Sequence, residues 1–221
     1  DKQLEIDPDN PRAYYYFTHA YYKNDPVLQI NYVIWYSARG GPTAPLIERG
    51  PVDGLTFRVS LDNSGRPFMV DIMNNCGCYH LFAPRKEKIQ QIRSSPLAID
   101  AFVPTWMPQG FPAKRLMIRV VSGWHQVAGI YARSTPVDFI PYRLEPYQGL
   151  EMLPKKNARY ESMFTAWGIG KHPERIESNI FFPMGVPRAG KMRQRGHHAI
   201  KLVGREHFTN PYLFDNNFVF R

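Results

Sequence analysis

The chain reads as an α+β protein, predominantly antiparallel β with long ordered loops. Three observations predict this. Aliphatic residues are interleaved with Tyr and Phe in short alternating runs, not massed at helical spacing. The 20 prolines and 16 glycines punctuate the chain about every six residues, too often for long helices. Two pairs of alternating runs are each joined by tight-turn residues, the mark of antiparallel hairpins. With 221 residues, 43% apolar and 14% aromatic, the chain can build a substantial core.

The elements follow in order. Residues 1–26 are polar and marked by Pro8, Pro11 and Pro26. They are expected to form an N-terminal arm on a single β-rich domain of residues 27–221. Tyr14, Tyr15, Tyr16 and Phe17 in this arm read as a packed extended segment, not a stacking platform. Val27 to Ala38 is predicted as a long strand, with Leu28, Ile30, Tyr32, Ile34 and Tyr36 on one face and Gln29, Asn31, Val33 and Trp35 on the other. In the next strand Leu55, Phe57, Val59 and Leu61 are expected to face inward, and Thr56, Arg58 and Ser60 outward. Asp62-Asn63-Ser64-Gly65 is a hairpin turn, and Phe68 to Met73 the return strand.

Arg85 to Arg93 is predicted as a short charged helix, and 96–114 as an ordered loop carrying Pro96, Pro104, Pro108 and Pro112. Arg115–Val121 and Trp124–Tyr131 make a second hairpin across Ser122-Gly123, with His125 at the start of the return strand. A short strand is expected over Val137–Leu144 and a weak helix over Leu144–Met152. Residues 154–196 read as long loops wrapping the sheet. A short strand at Ala199–Val203 follows, then an aromatic tail with Tyr212, Phe214, Phe218 and Phe220.

Both cysteines fall in one stretch, Asn74-Asn75-Cys76-Gly77-Cys78-Tyr79-His80, at the end of a predicted strand. If the stretch is extended, Cys76, Cys78 and His80 share a face. Thiolates with imidazole suit zinc or copper. Such a site needs distant ligands, for which His125, His198 and His207 are the candidates. A nucleophilic cysteine needs a base, for which His125 or His198 would serve. The same stretch also admits a Cys-x-Cys disulfide, or two small buried residues beside a hydrogen-bonded histidine. If the functional readings hold, a ring nitrogen of His125, His198 or His207 should lie within about 5 Å of a heteroatom of Cys76, Cys78 or His80. His19 and His172 lie in polar, proline-flanked segments and read as solvated.

The stretches Asp53-Gly54-Leu55-Thr56-Phe57-Arg58-Val59, Cys76-Gly77-Cys78-Tyr79-His80, Pro183-Met184-Gly185-Val186, Met192-Arg193-Gln194-Arg195-Gly196-His197-His198-Ala199 and Val203-Gly204-Arg205-Glu206-His207-Phe208 resemble an uncharacterised family of exported bacterial proteins over about residues 27–220. The family pattern has His where this chain has Asn74, and often Trp where it has Arg195. The resemblance implies that these segments belong to one site or one core, and that the protein is periplasmic or extracellular. It implies no activity.

The formal charge is +9, with a basic cluster at Arg188, Lys191, Arg193, Arg195, Lys201 and Arg205. No nucleic-acid motif accompanies the cluster, so an anionic surface or another protein is the expected partner. No apolar run approaches the roughly 18 residues of a membrane span. P-loop, Gly-x-Gly-x-x-Gly, His-Glu-x-x-His and Gly-x-Ser-x-Gly signatures are absent, which gives nucleotide-dependent and ordinary serine-hydrolase chemistry no support. Asp53, Asp71, Asp138 and Glu145 read as ordinary turn or strand residues. Three functions therefore stand as expectations: a zinc or copper protein, a cysteine-dependent hydrolase or acyltransferase, and a non-catalytic module for an anionic partner.

Overall fold

The alternation near the N-terminus builds one wall. In this computed structural model, which describes residues 4–94, 100–135, 138–155, 159–171, 175–186, 188–197 and 208–221, strand content dominates. Strands β1 (Arg12–Tyr22), β2 (Asp25–Arg39), β3 (Gly50–Leu61), β4 (Pro67–Asn74) and β5 (Leu81–Pro84) form an antiparallel meander. A short strand, β6 (Ile89–Ile92), leaves this sheet, and β7 (Arg115–Val120) with β8 (Val127–Arg133) forms a separate hairpin. The chain then returns as β9 (Arg143–Pro146), which pairs in parallel with β1 and sets Ala13 opposite Leu144. The sheet order is β5-β4-β3-β2-β1-β9.

Shorter elements complete the chain: helix α1 (Gln148–Glu151), the two-residue strands β10 (Leu153–Pro154) and β11 (Tyr160–Glu161), helices α2 (Ile176–Phe181) and α3 (Leu213–Asn217), and strand β12 (Phe218–Phe220). No helix among the described residues is long and apolar enough to cross a membrane.

Both faces of the wall are covered. On one, Tyr16, Val33, Trp35 and Cys76 pack against Tyr147, Leu150, Phe164 and Met192 from the long loops. On the other, Val70 and Ile72 pack with Ile130 and the β7–β8 residues Leu116, Ile118 and Val127. A third cluster joins Phe68, Phe82 and Ile89 to Leu213, Phe214 and Phe218 at the C-terminal end. The strand β4 is consequently buried at all eight positions.

This double cover corrects the expected orientation of β3. Thr56, Arg58 and Ser60, expected to face outward, are all buried. Alternation identifies two faces but not which of them meets solvent. The polar face is tolerated because several of its groups are paired with one another. The Gln29 amide donates to Ser60 Oγ at 3.1 Å, Asn31 to Thr18 Oγ1 at 2.9 Å, and Thr56 Oγ1 to Asn75 Oδ1 at 2.7 Å.

Residues 12–22 of the expected arm are packed on the body as a strand with neighbours on both sides, β2 and β9. Four other expectations shift. The predicted helix over 85–93 is a single tight turn, Lys86–Lys88, followed by β6. β6 gains a ladder with β12, Phe218 opposite Ile92, and buries Ile89; an isolated charged helix would have gained neither. The strand expected over 137–144 lies at 143–146, and the helix expected to 152 is one turn at 148–151. His125 stands in the β7–β8 turn with φ 59°, ahead of the strand it was expected to open. The strand expected at 199–203, and with it His198, His207, Lys201 and Arg205, lies outside the described residues.

Candidate functional site

The Cys-x-Cys-x-His stretch is the loop of the β4–β5 hairpin. It is a turn, not the extended run that would align all three ligand types. Asn75 N donates to Gly54 O at 2.8 Å, and Gly77 N to Asn74 O at 2.8 Å. Gly77 takes φ 89° and Tyr79 takes φ 56°, so the chain doubles back. Cys76 and Cys78 remain together, and both thiols are free. His80 leaves them and bonds Asp71 Oδ2 through Nε2 at 2.7 Å, its ring against Phe82 and Phe208.

His80 and Tyr79 of this loop each find a buried carboxylate. Asp71 holds Arg58 through two bonds of 3.0 and 2.6 Å, and Arg58 lies flat against the Phe208 ring at 3.7 Å while donating to the Phe208 carbonyl. The Tyr79 hydroxyl donates to Glu48 Oε1 at 2.6 Å. Glu48 also accepts Trp124 Nε1 at 3.1 Å and Arg39 Nη1 at 2.6 Å.

Asp53, just before Gly54, is the centre of the group. Its fully buried carboxylate accepts Arg39 Nε at 2.8 Å and Nη2 at 3.1 Å, His125 Nδ1 at 2.8 Å and Arg175 Nη2 at 3.3 Å. Burial alone would raise its pKa, but the bonds from His125 and Arg39 outweigh burial, and the carboxyl is held below its usual value. A carboxylate only accepts, so His125 Nδ1 carries the proton and Nε2 keeps a lone pair in the neutral ring. Tyr36 stacks on that ring at 3.8 Å and fixes its plane.

Backbone strain collects at the same place. Val52, Tyr79 and His125 all take positive φ, at 56°, 56° and 59°. For a β-branched residue such as Val52 this is an outlier, and strain of this kind costs about 1–3 kcal/mol where it persists. Here Arg175 Nη2 accounts for the persistence at Val52, because it binds the strained residue's carbonyl at 2.7 Å.

The thiols lie beside this cluster. The neighbouring Cys78 thiol lowers the Cys76 pKa; burial opposes this, and the Arg39 and Arg175 charges assist. The same neighbour, together with burial, pushes the Cys78 thiol up. Of the two sulfurs, Cys76 is therefore the one whose surroundings favour the thiolate form. Arg193 faces both sulfurs, its backbone N donating to Asn75 O at 2.8 Å.

Of the expected site residues, Cys76 and Cys78 lie together. His125 reaches the same end of the sheet through Asp53. His80 belongs to the Asp71–Arg58 group. Among the described residues no group of three or more His, Cys, Asp or Glu stands in position to hold a metal ion. In the basic cluster, Arg188 is exposed, Lys191 and Arg193 are buried, and Arg195 pairs with Glu151, so the described part is not an open cationic face.

Arg39, Glu48, Asp53, Asp71 and Arg175 were not legible as site residues. One signal was available: the 62–65 turn sets the register that places Arg58 opposite Asp71, and opposite charges paired across strands suggest a built contact. No protein-family model, curated protein or solved structure matches the chain.

Proposed function

We propose that the protein is a cysteine-dependent enzyme of the hydrolase or acyltransferase class, with its nucleophile drawn from the Cys76–Cys78 pair and His125 as the candidate base. The observation that carries this reading is a pair of free thiols, Cys76 and Cys78, in a loop bonded to the Arg193 backbone and under the positive charge of Arg39, Arg175 and Arg193. Positive neighbours and a hydrogen-bond donor stabilise a thiolate, the reactive form. Asp53 engages His125 through Nδ1, so Nε2 is the ring nitrogen placed to act as a general base. The same guanidiniums disfavour a divalent cation by repulsion. This is why the thiolate reading ranks above the zinc or copper site first expected at these residues.

The test is alkylation by iodoacetamide at neutral pH, resolved by peptide mass spectrometry. The expected result is labelling of one cysteine faster than free cysteine, slowed when Cys78→Ala removes the neighbouring S–H donor. Labelling of both thiols no faster than free cysteine overturns the reading. So does a stoichiometric zinc or copper ion in protein purified without chelator.

A further inference from the structure

Arg193 is an incompletely satisfied cation beside the thiols. It is 9% exposed, and among the described residues its guanidinium meets the Arg188 carbonyl, through Nη2 at 3.5 Å, while Nε is buried without a hydrogen-bond partner. Arg175 and Arg39 are, in contrast, matched by carboxylates: Arg175 Nη2 lies 3.3 Å from Asp53 and Nη1 3.9 Å from Glu177, and Arg39 binds Asp53 and Glu48. Burying guanidinium donors without acceptors opposes folding, so a site that retains them has a use for an anion. One thiolate does not use them all, and its charge vanishes once the sulfur is acylated or alkylated.

We propose that Arg193 binds a small carboxylate carried by the substrate, next to the electrophilic carbon that the Cys76–Cys78 pair attacks. This rests on the thiolate reading above. A planar carboxylate matches the fork of a guanidinium in shape and charge. It also replaces the negative charge that the sulfur loses in the reaction, so Arg193 stays matched throughout.

Iodoacetate and iodoacetamide test this directly, because they differ mainly in the carboxylate. In both, the sulfur's electron pair forms the S–C bond, and the C–I bond breaks with iodide leaving on its own pair. The ratio of the iodoacetate rate to the iodoacetamide rate is measured on the full chain and on free cysteine. The expected ratio on the protein is at least about tenfold higher than on free cysteine, equivalent to about 1.4 kcal/mol. Arg193→Gln brings it down to the free-cysteine value, Arg193→Lys keeps part of it, and Arg119→Gln, which removes an exposed cation, leaves it unchanged. Should the Arg193 variants not fold, sodium acetate added to the unaltered protein should slow iodoacetate labelling more than sodium chloride at equal ionic strength. Fast iodoacetamide labelling with a ratio no higher than that of free cysteine overturns the carboxylate site and leaves the thiolate standing. Slow labelling by both reagents overturns both.

Discussion

Asp71 shows how much a single buried charge holds in this fold. It is fully buried, and it neutralises Arg58 and receives His80. Replacing it by Asn keeps the shape but strands the Arg58 guanidinium. Loss of one partner of a buried ion pair costs about 3–5 kcal/mol, and the urea midpoint of Asp71→Asn should fall accordingly. The pH dependence has a definite sign. Burial would raise the Asp71 pKa, yet Arg58 and His80 hold it below the unfolded value of 3.8. The stability that Asp71 contributes is therefore complete above that value and is lost as pH falls through the lower, folded one. Asp71→Asn should show a shallower loss of stability with acid than the unaltered protein. An unchanged acid slope would mean that Asp71 is not ionised in the fold.

At the scale of elements, the hairpins were legible because their signals are local. The 62–65 turn and the runs on either side of it are contiguous, and they fix the β3–β4 register. The Cys76–Cys78 pairing was legible for the same reason. What joins distant elements was not. Arg175 reaches Asp53 across 122 residues, and no local pattern announces it. The same is true of β6, which reads as a charged helix until β12 is placed beside it. That pairing has a measurable consequence. Phe218 is 1% exposed, with its ring 5.5 Å from that of Phe82. Phe218→Ala should cost about 3–5 kcal/mol of stability, and it should also speed amide exchange in β6. Stability loss without faster exchange at Gln90 and Gln91 would show that β6 stands without its partner strand.

At the scale of the whole molecule, the sheet is a wall covered on both faces, and the chemistry gathers at one end of it. Loops carry the reactive groups there, held by charged residues that enter the wall itself: Asp53 from β3 and Arg39 from β2. Such an arrangement asks for rigidity at the centre and permits opening at the rim, and amide hydrogen exchange measures the gradient. β4 is buried throughout and lies between β3 and β5, so its amides should exchange at or near the rate of global unfolding. β9 is mostly exposed and pairs on one side only, through four residues, so its amides should exchange by local opening, well before β4. The cysteine loop adjoins β4 yet is anchored by a few turn hydrogen bonds rather than by a ladder, and intermediate protection is expected at Asn75 and Gly77. Equal protection in β9 and β4 would mean that the sheet opens as one unit. The loop could then admit a substrate to Cys76 only when the whole wall unfolds, and the proposed enzyme would lack a way in.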